Sequence, residues 1–466
     1  MRGHRGDDRR GKPGGRPGGR PGGRTARTGR TRPKGPQRPA GDWKTALPAS
    51  SELPPRPPGP HLGVRLVNLD EVEVRIEKLV AGGEGLARIE GVPVFVPRAA
   101  PGDLLRVRLT ARHADYGRAE IVSILEAGPG RRPDPYPELS RTGTADLQHL
   151  RDDLQPLLKA EAVRETLERL GNVKLPPPPA TELITGEPWG YRLRTQLHAE
   201  VDPVTGGVRV GYHARATNEL IPVARCPLLV PELEALLPIL PEHLGAGTPR
   251  RLDLAAGAAG DFSAVSVAPS VPGLPHGEVT LPVGDIAYTY DARCFFQGHR
   301  GLLPRLVEIV VGPWEGETAF DLFAGVGLFS LPLARRYRRV VAVESDSIAA
   351  RFCRVNARRN RLPNVELEAR AVESWLPKLP AGADRVVVDP PRAGLDPKIR
   401  QALLIRPPRR LTYVSCHAAT LARDLRQLTA IYAIEKVYLI DLFPQTGHME
   451  TVVQMVLRDL TMQIAS

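Results

Sequence analysis

Asp321-Leu322-Phe323-Ala324-Gly325-Val326-Gly327 ends an apolar, strand-like run (residues 318–324) and opens a helical stretch (residues 328–336). Paired glycines at such a junction leave room for a ligand to approach the backbone. The same rhythm continues downstream. Strand-like runs at 338–345, 365–369, 385–391, 411–416 and 435–443 alternate with helical stretches such as 419–428, and a last strand-like run occupies 451–459. This alternation predicts an α/β domain over residues 291–466, built on a mostly parallel, doubly wound sheet with ligands at the carboxyl ends of its strands.

Upstream, residues 180–290 mix strand-like runs with one helical stretch at 230–240. They predict a central α+β domain within a linker-and-domain segment spanning 128–290. Between 63 and 127 the runs are short and alternating, separated by the turn signals GGEG, APGD and ADYG, as expected of a small antiparallel β-barrel. Residues 1–62 repeat Gly, Pro and Arg with almost nothing apolar to repay ordering, and are expected to form a disordered basic tail.

The formal charge is +12, but residues 1–60 carry 15 Lys/Arg against 4 Asp/Glu, leaving 49 basic and 48 acidic residues elsewhere. The body is near neutral, so a polyanionic partner has to be argued from its motifs, with the tail as accessory. Cys226, Cys294, Cys353 and Cys416 include no CxxC pair, which predicts neither a disulfide framework nor a zinc site and favours the cytoplasm. No run approaches the roughly 18 apolar residues of a membrane helix, and the N-terminus shows no signal-peptide core.

Two glycines alone are a weak cofactor signal. Glu344 strengthens it, because a carboxylate ending the next strand can accept both hydroxyls of a nucleoside ribose. The third glycine of a dinucleotide fingerprint is absent, with Leu328 and Ser330 in that stretch, so S-adenosylmethionine fits better than a pyrophosphate cofactor. Asp389-Pro390-Pro391-Arg392 follows the next strand at the same edge, where its carboxylate can meet cofactor or substrate. Cys416 ends the strand before the helix of 419–428, where the helix N-terminus is expected to favour the thiolate. Glu450, with His448 as competitor, is the candidate base in the loop between the last two strands. Cys226, Cys294 and Cys353 read as structural.

Ser415-Cys416-His417 followed by Thr420-Leu421-Ala422-Arg423-Asp424, and Asp441-Leu442-Phe443-Pro444 through His448 and Glu450, resemble the RNA uracil-5 methyltransferase family over residues 66–458. Residues 64–126 resemble the RNA-binding TRAM domain through Gly82-Gly83-Glu84-Gly85, Val94-Phe95-Val96-Pro97 and Pro101-Gly102-Asp103. The resemblance implies Cys416 as nucleophile, Glu450 as base, and S-adenosylmethionine held by Gln297 of Phe295-Phe296-Gln297, by Phe323, and by Glu344 and Asp389; Gly325 is a cofactor-binding candidate from the strand-to-helix junction itself. Carbon 5 of uracil is a poor nucleophile until a thiolate adds to carbon 6, after which a base must remove the carbon 5 proton.

Three features depart from the family pattern. Leu328 and His299 replace residues that are usually asparagine. Leu147-Gln148-His149 persists, but residues 135–146 lack the cysteines that hold an iron-sulfur cluster in many relatives, and no cluster is expected. Exocyclic-amine methylation needs no thiolate, and RNA cytosine-5 methylation uses two cysteines where one is visible. A monomer acting on RNA is expected, with the barrel favouring 23S rRNA over tRNA; the alternatives are a tRNA uracil-5 methyltransferase or a catalytically silent RNA-binding protein.

Overall fold

The computed structural model describes residues 71–215, 217–245, 250–260 and 265–459. The expected basic tail lies outside them. The first sheet has six strands, β1 (Glu71–Arg75), β2 (Lys78–Leu79), β3 (Gly85–Ile89), β4 (Val92–Val96), β5 (Leu104–Arg112) and β6 (Gly117–Glu126), in the order β1-β5-β6-β4-β3-β2. It is not wholly antiparallel as expected: Val94 and Phe95 of β4 pair in parallel with Gly117 and Arg118 of β6. Its two edge strands are successive in the chain. Between them, the Ile76 N–H bonds to Asp103 and the Glu77 N–H to Leu86, on opposite edges. Alternating burial along β4 and β5 gathers Val74, Val92, Val94, Leu105 and Val107 on one face.

A short strand, β7 (Thr181–Ile184), precedes an antiparallel sheet of β8 (Arg194–Val201), β9 (Val208–His213), β10 (Leu220–Pro222), β11 (Arg251–Ala256) and β12 (Val265–Ala268), ordered β10-β9-β8-β11-β12. The hairpin β13 (Val279–Val283) and β14 (Ile286–Tyr290) follows. The helix expected over 230–240 is reduced to Pro231–Glu234 and Leu240–His243, separated where Pro238 cannot donate a helical hydrogen bond.

The third sheet contains β15 (Gly316–Leu322), β16 (Tyr337–Glu344), β17 (Val365–Ala369), β18 (Arg385–Val388), β19 (Arg410–Ser415), β20 (Tyr432–Ile440) and β21 (Glu450–Leu457), ordered β17-β16-β15-β18-β19-β21-β20-β7. Alternate residues of its strands face two cores. Ala319, Val340, Val387, Val414 and Val452 point into one; Phe320, Val341, Val386, Leu411 and Val453 point into the other. Helices Leu303–Val311 and Ser347–Arg359 cover the first face, whereas Pro397–Ile405, Ala418–Leu428 and Gln155–Gly171 cover the second. Burial on both sides explains why these strands read as near-continuous apolar runs.

Two features of this sheet go beyond the expectation. The segment before residue 290 supplies both β7, which pairs in parallel with β20, and the helix Gln155–Gly171, so part of the linker segment is built into this layer. Within 328–336 the helix shrinks to Ser330–Leu333, which includes Pro332. β21 returns antiparallel between β19 and β20, as a nine-residue loop permits and a parallel crossover would not.

Candidate active site

Strand register brings the predicted residues to one edge. Leu322 pairs with Val343 and Val388, and Val388 with Tyr413, so Phe323, Glu344 and Asp389 leave three neighbouring strands at one level. Ser415 of β19 pairs with Thr451 of β21. One step beyond that pair, Cys416 stands opposite Glu450 on the same side of the sheet. The antiparallel insertion of β21 thus creates the Cys416–Glu450 juxtaposition.

The loop after β15 is shaped for close approach. Phe323 holds φ +74°, an uncommon conformation for a non-glycine residue, and Gly325 holds φ +55°. A Cβ on Gly325 would meet nothing within 4 Å, so the loop faces open space there. Glu344 accepts hydrogen bonds from the Gly325 N–H at 2.8 Å and the Asp346 N–H at 2.6 Å, which fix its carboxylate beneath that space. Phe323 also lines a cavity of about 340 Å³ with Pro391, Leu395, Glu373 and Arg423. A larger cavity of about 420 Å³, beside the helix Ser347–Arg359 and β17, contains none of the predicted site residues.

Gln297 comes from the stretch after β14. Its Nε2 donates to Asp389 Oδ2 at 3.1 Å, while its Oε1 is buried without a hydrogen-bond partner. Glu450 is only 2 % exposed, and its Oε1 is also buried without a partner. Buried polar atoms are ordinarily satisfied, so these two oxygens stand out as free acceptors at the carboxyl edge of the sheet.

Electrostatics correct the expected ionisation of Cys416. Burial pushes the thiol up to about 11, and the Glu450 charge adds to the rise; the charge of Arg392 opposes it, Asp389 raises it again, and a hydrogen bond from Arg392 opposes it. At the N-terminus of the neighbouring helix Ala418–Leu428 one of the free N–H groups is capped by a side chain: the Thr420 N–H donates to His417 Nδ1 at 3.3 Å. Burial and then the Asp389 charge hold Glu450 well above the carboxylate range, while burial raises Asp389 to about 7 against the Gln297 hydrogen bond. His448 is pushed down to about 4 by burial and then by Arg392, whose guanidinium hydrogen-bonds its Nε2. That contact occupies the lone pair His448 would need as a base. Arg392→Gln is therefore expected to move the pH profile of Cys416 alkylation by iodoacetamide upward from about 11, and an unchanged profile would remove Arg392 from the thiolate's environment.

The remaining cysteines differ from Cys416 in being fully buried, whereas Cys416 is half-buried. Cys226 accepts a hydrogen bond from Tyr212 Oη at 3.5 Å. Among the described residues, no group of three or more His, Cys, Asp or Glu side chains is arranged to hold a metal ion, and no helix is long and apolar enough to cross a membrane.

Residues 381–458 match the family described as tRNA (Uracil-5-)-methyltransferase, residues 68–122 match the TRAM domain, and residues 300–396 match the TRM5/TYW2 methyltransferase domain. The 23S rRNA (uracil(1939)-C(5))-methyltransferase of Enterobacter sp. (strain 638) is 31 % identical over 429 residues, covering 84 % of this chain and 97 % of the relative. The chain belongs to the RNA uracil-5 methyltransferases. An RNA methyltransferase of Gloeobacter violaceus is 32 % identical over 82 % of this chain and 95 % of its own. The crystal structure of Pyrococcus abyssi tRNA (uracil-54, C5)-methyltransferase in complex with S-adenosyl-L-homocysteine shares the fold, with a TM-score of 0.64, 24 % identity, and coverage of 83 % of this chain and 100 % of that one.

As an RNA uracil-5 methyltransferase, the protein uses S-adenosylmethionine as methyl donor. The two asparagine replacements have structural explanations. Leu328 is buried in the apolar core, and its backbone oxygen accepts from Tyr288 Oη at 2.9 Å. His299 is 1 % exposed and stacks on Tyr191 with ring centroids 4.6 Å apart. The persisting Gln148 ties a local knot instead: its Oε1 accepts from the Tyr136 N–H at 3.1 Å and its Nε2 donates to Ser140 Oγ at 2.5 Å. In the sequence Arg392 stands only as the end of a proline-stiffened loop, and its place beside the Asp389 motif is the available signal of its role. Lys159 and Gln155, which support the Glu450 loop, gave none.

Proposed function

We propose that this methyltransferase acts on a uridine of 23S rRNA through a covalent adduct between Cys416 and carbon 6 of the base. The observation that carries the mechanism is the opposition of Cys416 and Glu450 across the β19–β21 ladder. The rRNA reading rests on the 23S rRNA methyltransferase relatives and the TRAM match, with the six-stranded sheet taken as the RNA-binding barrel.

The residues present fit S-adenosylmethionine. Glu344 would hold its ribose, the open backbone at Phe323 and Gly325 would admit it, and the unpartnered Gln297 Oε1 and the Asp389 carboxylate would face its polar end. When bound, the donor supplies an electrophilic methyl on a sulfonium, whose positive charge favours the anionic forms of the acids around it.

The chain's own groups do the rest. Arg392 stabilises the Cys416 thiolate, which adds to carbon 6 of a flipped-out uracil; the carbon 5–carbon 6 π pair moves to carbon 5 and oxygen 4 as an enolate. Carbon 5 thereby becomes the nucleophile for the methyl. Glu450 then takes the carbon 5 proton; that C–H pair restores the double bond, and the carbon 6–sulfur bond breaks to return the thiolate. A strongly raised carboxyl suits removal of a carbon-bound proton, since its conjugate carboxylate is a stronger base than an exposed one. Phe295, 64 % exposed beside Arg194, is available to stack on an unpaired base.

The substrate is tested by incubating purified protein and S-adenosylmethionine with unmodified rRNA and tRNA, then mapping methylated nucleotides by mass. We expect 5-methyluridine at one position of 23S rRNA. Modification of tRNA alone would overturn the rRNA reading while leaving the chemistry intact.

A further inference from the structure

The loop carrying the proposed base is held from outside its own sheet. Residues 441–449 link β20 to β21 and are mostly buried, so their backbone polar groups need protein partners. Lys159, in the helix Gln155–Gly171, sits at the loop's centre with its side chain 1 % exposed. Its Nζ donates to Asp441 Oδ1 at 2.5 Å, to the Phe443 carbonyl at 3.1 Å and to the Thr446 carbonyl at 3.1 Å. Around it, Gln155 and Gln445 pair reciprocally. The Gln445 N–H donates to Gln155 Oε1, and Gln155 Nε2 donates to Gln445 Oε1, both at 2.9 Å. The Leu147 N–H donates to the Gln445 carbonyl at 2.9 Å and Tyr191 Oη to the Pro444 carbonyl at 2.8 Å.

The opposite side of the loop is closed by the first sheet. A Cβ on Gly447 would lie 2.2 Å from the Gly82 carbonyl oxygen, and one on Gly83 would lie 2.8 Å from Gly447 Cα. The turn between β2 and β3 therefore packs backbone to backbone on the catalytic loop. Two groups at the reacting edge depend on the loop's position. Glu450 is the residue at its end, and His448 within it bonds Arg392, which faces Cys416.

We infer that Lys159 is a positioning residue for Glu450: its ammonium gathers the loop from three points, and the Gly82–Gly83 turn presses on Gly447 to complete the clamp. The inference rests on Glu450 being the base of the proposed mechanism. A displaced base slows proton removal from carbon 5, and therefore resolution of the adduct, more than thiolate addition, because Cys416 directly follows β19 and Arg392 lies on the segment after β18, so both stay in place without the loop. A purely structural lysine would instead lower adduct, product and folded protein together.

The test pairs Lys159→Met with Asp441→Leu, since replacing both partners of a buried ion pair leaves no orphaned charge. Purified variants are incubated with methyl-labelled S-adenosylmethionine and substrate RNA, and label is followed in free RNA and in protein–RNA adduct surviving denaturant. Thermal melting is recorded alongside. The double variant is expected to stay folded while melting somewhat below wild type, because the Thr446 carbonyl loses its donor; it should transfer about one methyl per active site, lose turnover on the order of 100-fold, as misplacement of a catalytic group can cause, and accumulate labelled adduct as Glu450→Gln does. Lost turnover without adduct, where Glu450→Gln does form adduct, would overturn the inference, as would unchanged turnover. If the double variant fails to fold, Gly447→Ala, which pushes the loop from the opposite side, is judged by the same two readouts. Absence of adduct in Glu450→Gln itself would instead remove the base assignment, and the positioning role with it.

Discussion

Glu450→Gln is expected to methylate its RNA once and then stall, with steady-state turnover reduced on the order of 10³-fold, within the range that a positioned general base contributes. The isosteric amide cannot accept the carbon 5 proton, so methylated uracil stays bonded to Cys416. The first half of the reaction should not suffer. Burial already holds the Glu450 carboxyl well above the usual range, so exchanging it for a neutral amide leaves the surroundings of the Cys416 thiol little changed. A rapid stoichiometric burst followed by arrest, measured by quench with labelled S-adenosylmethionine, is the expected record. Multiple turnovers at the wild-type rate would assign the proton to another group. His448 is poorly placed for it, with its Nε2 engaged by Arg392 and burial holding it down at about 4.

Cys416→Ala is expected to reduce turnover further, on the order of 10⁶-fold, the scale seen when a covalent nucleophile is deleted. Without addition to carbon 6, carbon 5 has no enolate to draw on, and correct placement of the methyl donor cannot compensate. S-adenosylhomocysteine affinity, measured by calorimetry, should remain close to wild type, because Gln297, Glu344 and the Gly325 loop are positioned by strands and hydrogen bonds that do not include the sulfur. Equal loss of binding and turnover would mean that Cys416 holds the site together instead of acting in it. Substitution of Cys353, buried in the core, should leave chemistry intact and act through stability.

The carboxyl-edge site was readable because its ingredients are local. Runs such as Arg385–Val388 are apolar on both faces, and the residue following each strand lands at the ligand edge whatever the strand order. The order itself was not readable. Nothing in residues 411–457 states that β21 inserts between β19 and β20, yet that insertion sets Cys416 against Glu450. The motif comparison supplied Glu450 where the pattern alone left His448 open. The ionisation of Cys416 was misread for a related reason: a helix N-terminus is visible in sequence, whereas burial and the through-space charge of a residue 34 positions later are not. Lys159 carried no signal in the sequence, since its partner Asp441 is 282 residues away. The helix at 230–240 was overestimated where Pro238 interrupts an otherwise apolar run, and that at 328–336 is shorter than the apolar run suggested.

The central claim is the bond between Cys416 and the target uracil. Glu450→Gln should be incubated with S-adenosylmethionine and substrate RNA, denatured, digested with nuclease and protease, and sequenced by tandem mass spectrometry. A methylated uridine carried on the peptide containing Cys416 is the predicted result. Free 5-methyluridine formed by the Cys416→Ala variant, or the nucleotide found on any other residue, would contradict it.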